Sequence, residues 1–174
     1  GVEVHEGHQV VDVLFEDGRA CGVRYTADGV AGIARARFVV DASGQGALLG
    51  HKLQLRRWDA FFQNLAVYGY FAGAQRLPAP DDTNIFIESY AHGWFWHIPL
   101  HTGWTSTGAV VDSRTGQEGI RRTDPRRFLM EQVAQAPRTA QMLGEATLAS
   151  GPFVIRDWSY ISDEVVGDGY ILVG

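Results

Sequence analysis

Apolar and polar positions alternate with a period of two along most of this chain, the pattern of strands with one covered face. Residues 1–40 read as β throughout. Val11, Val13 and Phe15 alternate with Asp12 and Leu14, and Glu16-Asp17-Gly18 makes a tight turn. Residues 19–25 return, Ala27-Asp28-Gly29 turns again, and residues 30–38 come back. Glycine at the end of each turn accepts positive φ. The prediction is a three-stranded meander with local pairing. Cys21, Val23 and Tyr25 fall on one side of it, which makes Cys21 a small core residue rather than a nucleophile.

A second β-rich stretch follows. Residues 65–72, with Tyr68, Tyr70 and Phe71, read as a strand, and Leu77-Pro-Ala-Pro-Asp-Asp82 as a loop. Residues 84–90 set Ile85 and Ile87 against Phe86 and Glu88, and Ala91-His92-Gly93 turns into Trp94-Phe95-Trp96-His97-Ile98-Pro99. On a strand Trp94, Trp96 and Ile98 share one face and Phe95 and His97 the other. Pro99 ends the ladder by removing a donor. His101-Thr-Gly103 turns into residues 104–111. These segments predict an antiparallel run of hairpins, about four strands, with one covered face.

The period then changes. Asp124-Pro125 supplies an N-cap and a first-position proline, and Phe128, Leu129 and Val133 form an apolar helical stripe. Pro137 ends that helix and opens a second short one to Leu143, stopped by Gly144. Residues 153–161 alternate again as a strand. Gly167-Asp168-Gly169 makes a hairpin turn into a buried strand over residues 170–173.

Composition narrows the functional classes. With 45% hydrophobic and 20% charged residues, 174 residues hold one domain or parts of two. A net charge of -5 argues against nucleic acid as a partner. The single Cys21 forms no internal disulfide and fits a reducing cytoplasm. No apolar run reaches the roughly 18 to 20 residues of a membrane span, and no signal peptide is visible. The strand-like Gly1-Val-Glu-Val-His5 and the closing Gly169-Tyr-Ile-Leu-Val-Gly174 read as an internal piece of a longer protein.

Two stretches carry candidate chemistry. The indoles of Trp94 and Trp96 make a flat, rigid wall, either a thick piece of core or the lining of a pocket for a planar ring. Upstream, the strand Phe38-Val39-Val40 runs into Asp41-Ala42-Ser43-Gly44-Gln45-Gly46 and a short helical start. That arrangement suits a ribose or phosphate at a helix N-terminus. It equally suits a plain strand-to-helix turn capped by Asp41 or Ser43. It lacks the βαβ context and following acidic residue of a primary dinucleotide loop, and Asp41 excludes a serine-hydrolase elbow. His97 and His101 stand roughly 13 Å apart on a strand, too far for one metal ion. Arg121-Arg122 and Arg126-Arg127 flank a helix start and read as a surface patch, and Glu88 as an exposed or pocket-facing strand residue.

Together, Val39-Val40-Asp41-Ala42-Ser43-Gly44, Trp94-x-Trp96-x-Ile98-Pro99 and Gly169-Tyr-Ile-Leu-Val-Gly174 resemble the flavin-dependent halogenases, within the FAD-dependent monooxygenase and reductase superfamily. The resemblance covers essentially the whole chain, and the Trp-x-Trp-x-Ile-Pro pattern is its most specific mark. It implies an α+β piece of an α/β FAD-binding, glutathione-reductase-like flavoprotein. Residues 1–60 would belong to the FAD domain, 61–163 to a substrate-binding sheet with covering helices, and 164–174 to a strand returning to the FAD domain. It implies FAD reduced by a separate flavin reductase, O2 and halide as reactants, and hypohalous acid formed through a flavin peroxide and passed to a lysine. The substrate would be a small-molecule or carrier-bound electron-rich aromatic. Asp41, Ala42, Ser43, Gly44 and Gly174 would line the FAD site, Trp94 and Trp96 would form the wall, and Ile98 and Pro99 would line the tunnel. The family's first glycine loop and its lysine have no counterpart in these residues, since Lys52 follows the Asp-Ala-Ser-Gly turn. The 174 residues alone are therefore expected neither to bind FAD tightly nor to turn over. A monooxygenase or geranylgeranyl-reductase-like enzyme and a non-catalytic aromatic-binding module are the alternatives.

Overall fold

The computed structural model describes residues 1–156 and 159–173. The strands and α-helices begin with β1 (His8–Glu16), β2 (Arg19–Ala27), β3 (Val30–Arg35), β4 (Val39–Asp41), α1 (Leu48–Lys52), β5 (Arg56–Trp58), β6 (Asn64–Ala72), β7 (Phe86–Tyr90) and β8 (Gly93–Pro99). Then come β9 (Trp104–Asp112), α2 (Ser113–Arg122), α3 (Pro125–Val133), α4 (Pro137–Leu143), β10 (Thr147–Arg156), β11 (Tyr160–Ser162), β12 (Val166–Gly167) and β13 (Tyr170–Leu172). The chain forms two compact units, Gly1–Trp58 with Tyr160–Gly174, and Asp59–Ser159. It is an α+β protein with mainly antiparallel sheets.

In the first unit, β1, β2 and β3 form the antiparallel meander that the alternation predicts. Its beginning differs from expectation. Residues 1–5 pair with nothing, and Val2 and Val4 stand exposed. Cys21 also differs. The register shifts between Leu14 and Phe15, so Leu14 opposes Gly22, Phe15 opposes Ala20, and Cys21 is the extra bulged residue. The bulge changes the parity, so Ala20 and Val13 enter the core while Cys21 is half-buried beside Arg35. A separate three-stranded sheet holds β12, β13 and β4, with β13 running parallel to β4 and Leu172 opposite Asp41. The core of this unit gathers Val13, Ala20, Val39, Leu49 and Tyr170. The residues 56–58, not foreseen as a strand, pair antiparallel with β11.

The second unit is a five-stranded antiparallel sheet in the order β10-β6-β9-β8-β7. It is not the simple run of hairpins that adjacency along the sequence suggests. The connection from β6 to β7 is long enough to leave β6 free to pair with β9 and β10 instead. Gln75 in that connection anchors it, its N–H donating to the Met142 carbonyl at 2.7 Å. The strand foreseen at 153–161 begins earlier, at Thr147, and has a register shift between Ser150 and Phe153. Its continuation over residues 157 and 158 lies outside the described residues.

Helices cover one face of this sheet. Leu65, Val67, Phe71, Phe95, Ala109 and Val111 from the strands meet Phe128, Leu129, Val133, Ala136 and Leu143 from the helical layer. Burying each large apolar side chain contributes about 1.5–3 kcal/mol, which makes this layer the unit's main source of stability. Both sequence-predicted helices are present, with Asp124 accepting from the N–H groups of Arg126 and Arg127. The first helix of this unit, α2, is not among the elements the sequence predicts. Gly116 and Gly119 depress its intrinsic propensity, yet close packing requires them: a Cβ at Gly119 would lie 2.3 Å from the Phe128 ring. Glu88 is half-buried, and it is tied into the helical layer. Its carboxylate accepts from Thr139 N at 2.6 Å, Thr139 Oγ1 at 2.7 Å and Arg138 N at 3.1 Å, so it caps α4 from across the sheet edge.

Candidate functional site

The strand β8 divides its side chains as the alternation demands. Phe95 and His97 lie in the core beneath the helices, at 0% and 1% exposure. His97 is held there by two hydrogen bonds: Nε2 donates to the Gln75 carbonyl at 2.9 Å, and Thr107 Oγ1 donates to Nδ1 at 3.0 Å. Burial lowers its pKa from the ordinary histidine value, and the Gln75 carbonyl offsets only part of that. His97 is thereby a neutral structural group. Tyr90, also on the core side, donates to Gln132 Oε1 at 2.8 Å, and burial pushes its pKa up to about 12.

Trp94, Trp96 and Ile98 project from the opposite face, which no helix of this unit covers among the described residues. The two indoles are neighbours, with centroids 6.0 Å apart and planes at 54°. Trp94 is 38% exposed and Trp96 half-buried. They are therefore not core, the first of the two readings left open by the sequence. Register extends this face across four strands. Trp96 lies opposite Gly108, which lies opposite Tyr68, which lies opposite Phe153. Ring contacts run from Trp96 to Tyr68 (5.6 Å), Tyr68 to Phe153 (5.3 Å), Phe153 to Tyr70 (6.0 Å) and Tyr70 to Trp104 (6.5 Å). Six aromatic rings thus form one contiguous open surface.

Trp96 is seated specifically on that surface. A Cβ at Gly108 would fall 2.5 Å from the indole, so only glycine lets the ring lie across β9. Its Nε1 donates to Ser106 Oγ at 3.1 Å, fixing the orientation of the ring. Ile98 is half-buried opposite Ser106, and Pro99 is the last residue of β8, opposite Thr105. Such a surface offers stacking partners to a planar, electron-rich ring. The sequence reading missed Tyr68, Tyr70, Trp104, Phe153, Ser106 and Gly108 as members. Their alternation was visible, but which strand faces match depends on the strand order.

The other candidate lies in the first unit. The turn after β4 begins at Asp41, whose Oδ1 accepts from Ser43 N at 3.0 Å and Ser43 Oγ at 2.5 Å. Its Oδ2 accepts from Leu49 N at 2.7 Å, and Ser43 Oγ accepts from Leu48 N at 3.1 Å. The first donors of α1 are thereby satisfied by Asp41 and Ser43. The capping, one of the two sequence readings, is therefore seen at this helix start. Burial alone would raise the Asp41 pKa; the Ser43 and Leu49 donors outweigh it and hold the carboxyl below its usual range.

What the turn leaves open is its outer backbone. Gly44 takes φ +56, favoured by glycine, with nothing within 4 Å of where a Cβ would stand. Among the described residues the N–H groups of Gly44 and Gln45 have no acceptor. Such donors suit phosphate or ribose oxygens, so the turn fits a nucleotide cofactor without help from α1. Ala42 connects Asp41 to Ser43 and is exposed. Gly174 lies outside the described residues. Lys52 is tied to Asp12 and to the Val13 carbonyl at 2.6 Å, with its ammonium 5.6 Å from the Phe15 ring centroid. The Lys52 hydrogen bond is the leading cause of the lowered Asp12 pKa. Lys52 is thus a strut between α1 and β1.

The profile of the tryptophan halogenase family matches residues 1–144. A flavin-dependent halogenase of Penicillium aethiopicum, gsfI, is 34% identical over 94% of this chain and 32% of its own length. A 1H-pyrrole-2-carbonyl-[peptidyl-carrier protein] chlorinase of Pseudomonas fluorescens is 32% identical over all of this chain and 40% of its own length. The structure of the myxobacterial chondrochloren halogenase CndH, described as a variant of FAD-dependent halogenases, superposes with a TM-score of 0.85 at 40% identity. That superposition covers 96% of this chain and 39% of the other. The chain therefore spans between about a third and two fifths of the length of these relatives.

Proposed function

We propose, from the premise that this chain belongs to the tryptophan halogenase family, that it is the central part of an FAD-dependent halogenase acting on an electron-rich aromatic. The observation that carries this reading is the Trp94–Trp96 pair, side by side on an uncovered aromatic face within the Trp-x-Trp-x-Ile-Pro pattern. FAD, when bound and reduced, would supply the two electrons that activate O2, so that one oxygen atom leaves as water and the other oxidises halide to an electrophilic halogen. The fold around it would be of the glutathione-reductase type, with residues 1–60 and 164–174 contributing to the FAD domain and 61–163 to the substrate domain.

The roles of this chain's own residues follow from their geometry. The turn of Asp41, Ala42, Ser43 and Gly44 would hold the cofactor through the Gly44 and Gln45 N–H groups, its shape set by the Asp41 carboxylate. Gly174 would continue that site. Trp94 and Trp96 would exclude organic rings from the place where halide is oxidised, and Ile98 and Pro99 would line the passage beside them. Tyr68, Tyr70 and Phe153 would offer the substrate ring a stacking surface. The lysine that directs the halogen would come from outside these residues, because Lys52 is committed to Asp12. The likeness to a carrier-protein chlorinase supports a carrier-bound aromatic as readily as a free one. A separate flavin reductase would deliver reduced FAD.

The test is turnover of the intact protein with FAD, NADH, a flavin reductase, O2 and bromide. A brominated aromatic product identified by its isotope doublet supports the reading. A product gaining only oxygen would make the protein a monooxygenase, and no turnover on any aromatic would favour a binding module. Within a halogenase, Trp96→Ala is expected to raise hydrogen peroxide release per NADH consumed several-fold, on the order of 1 kcal/mol of lost discrimination. Unchanged coupling would make the indole a passive part of the sheet.

A further inference from the structure

A feature without a role so far lies in the first unit, beside the Asp41–Gly44 turn. The Arg56 guanidinium sits in the corner made by two aromatic rings set at 70° to each other, its Cζ 4.1 Å from the Trp58 centroid and 3.8 Å from the Tyr160 centroid. Those rings come from directly paired residues of β5 and β11, with centroids 5.9 Å apart. Held in this corner, Arg56 Nη1 donates to the Gln45 carbonyl at 3.1 Å, with the His51 Nε2 at 3.2 Å. The Tyr160 hydroxyl donates to the adjacent Gly44 carbonyl at 3.4 Å. One stack therefore reaches two consecutive carbonyls of the turn.

Plain packing does not account for an arginine at this place. Its Nε is buried with no partner among the described residues, and an unpaired buried donor is unfavourable. An apolar side chain would fill the slot between the rings without that penalty. What it would lack is a planar donor whose direction the rings fix.

Peptide geometry connects those carbonyls to the donors of the turn. The C=O of one residue and the N–H of the next share a plane and point in opposite directions. Holding the Gly44 carbonyl therefore aims the Gln45 N–H away from the stack. Holding the Gln45 carbonyl aims the Gly46 N–H inward, where it donates to the Ser43 carbonyl at 3.1 Å and closes the turn. Asp41 secures the turn from one side and Arg56 with Tyr160 from the other.

We infer that Arg56, held against Trp58 and Tyr160, is a positioning residue for cofactor binding, presetting the Asp41–Gly44 turn so that its free N–H groups meet phosphate or ribose oxygens of the dinucleotide. The inference rests on the reading of that turn as part of the FAD site. It assigns Arg56 no direct contact with the cofactor.

The test is FAD titration of the intact apo-protein, followed by flavin fluorescence, together with thermal melting of the same apo-protein. Arg56→Met should raise the FAD dissociation constant about tenfold while leaving the apo melting temperature near wild type. Arg56→Lys keeps the charge but not the plane, and should rescue little of the loss; it also serves if Arg56→Met fails to fold. Tyr160→Phe should weaken binding by a smaller factor. Asp41→Asn separates the two claims. If Asp41→Asn weakens FAD binding and both Arg56 variants bind as wild type, the clamp is refuted. If affinity and apo melting temperature fall in parallel in the Arg56 variants, the stack is general scaffolding and the inference is likewise overturned. If Asp41→Asn binds FAD normally, the turn is not the cofactor site.

Discussion

At the scale of single residues, two ionisable groups, one half-buried and one buried, organise the second unit. The Glu88 carboxylate is the cap that α4 lacks in its own sequence, where Ala136 precedes Pro137. Burial alone would raise its pKa, but the Thr139 and Arg138 donors outweigh that and hold it below the usual value. Glu88→Ala should cost about 0.5–2 kcal/mol in urea unfolding, the range for a lost helix cap. The sign of the pH effect follows from the lowered value. The charged form is favoured by folding, so its contribution is complete above the unfolded glutamate pKa and lost as pH falls through the folded one. Glu88→Gln should therefore flatten the acid limb of the stability curve. His97 acts in a different window. Its folded pKa is depressed, so its contribution is complete above about pH 6.5, the unfolded value, and lost as pH falls below it. Stability measured between pH 7 and pH 5 should decline in the wild type. His97→Gln should lose that slope while being less stable at pH 7, because Gln75 or Thr107 loses a partner. A slope that survives the substitution would assign it elsewhere.

At the scale of elements, glycines decide how closely strands and helices approach. Gly108 lets the Trp96 indole cross β9, with no room for a methyl group. Gly108→Ala should displace the indole, break the Ser106 bond and shift the tryptophan emission maximum. Overpacking of this kind costs about 1–3 kcal/mol, and an unchanged emission spectrum would show that the ring has another seat. Much of this architecture was legible in the sequence. The meander, the Trp94/Trp96 parity, the start of α3 and both ends of α4 all follow from alternation, turns and caps. What was not legible depended on tertiary contact. The helix α2 carries two glycines that local propensity counts against it, although Leu65, Val111 and Phe128 demand them. The bulge at Cys21 inverts parity within a strand that otherwise alternates cleanly. The six-ring surface needs β6 beside both β9 and β10, a pairing that adjacency along the chain does not suggest. In the Asp41 turn, the residue types were visible while the direction of the carboxylate, inward onto Leu49 rather than outward, was not.

At the scale of the whole molecule, family membership and local geometry carry different weight. The profile match and the superposition on CndH establish kinship over nearly the full chain. The catalytic assignment rests on an open aromatic face and an open turn that occur in separate compact units. Neither supplies a glycine-rich phosphate loop or a free lysine among the described residues. The isolated 174-residue polypeptide should accordingly show no stoichiometric FAD binding by equilibrium dialysis at micromolar concentrations, although it retains the Arg56 clamp. Tight one-to-one binding by that polypeptide would mean that the turn suffices on its own.

The strand order also governs the sequence of events on the ribosome. β6 emerges with neither of its sheet neighbours yet made, since β9 and β10 follow later, and β4 stays without its parallel mate until β13 arrives near the other end of the chain. Loop closure over such separations is slow compared with forming the β8–β9 hairpin. Nascent chains halted before Thr147 would expose the apolar edge of β6, so synthesis of this protein should show its greatest dependence on chaperones in that interval.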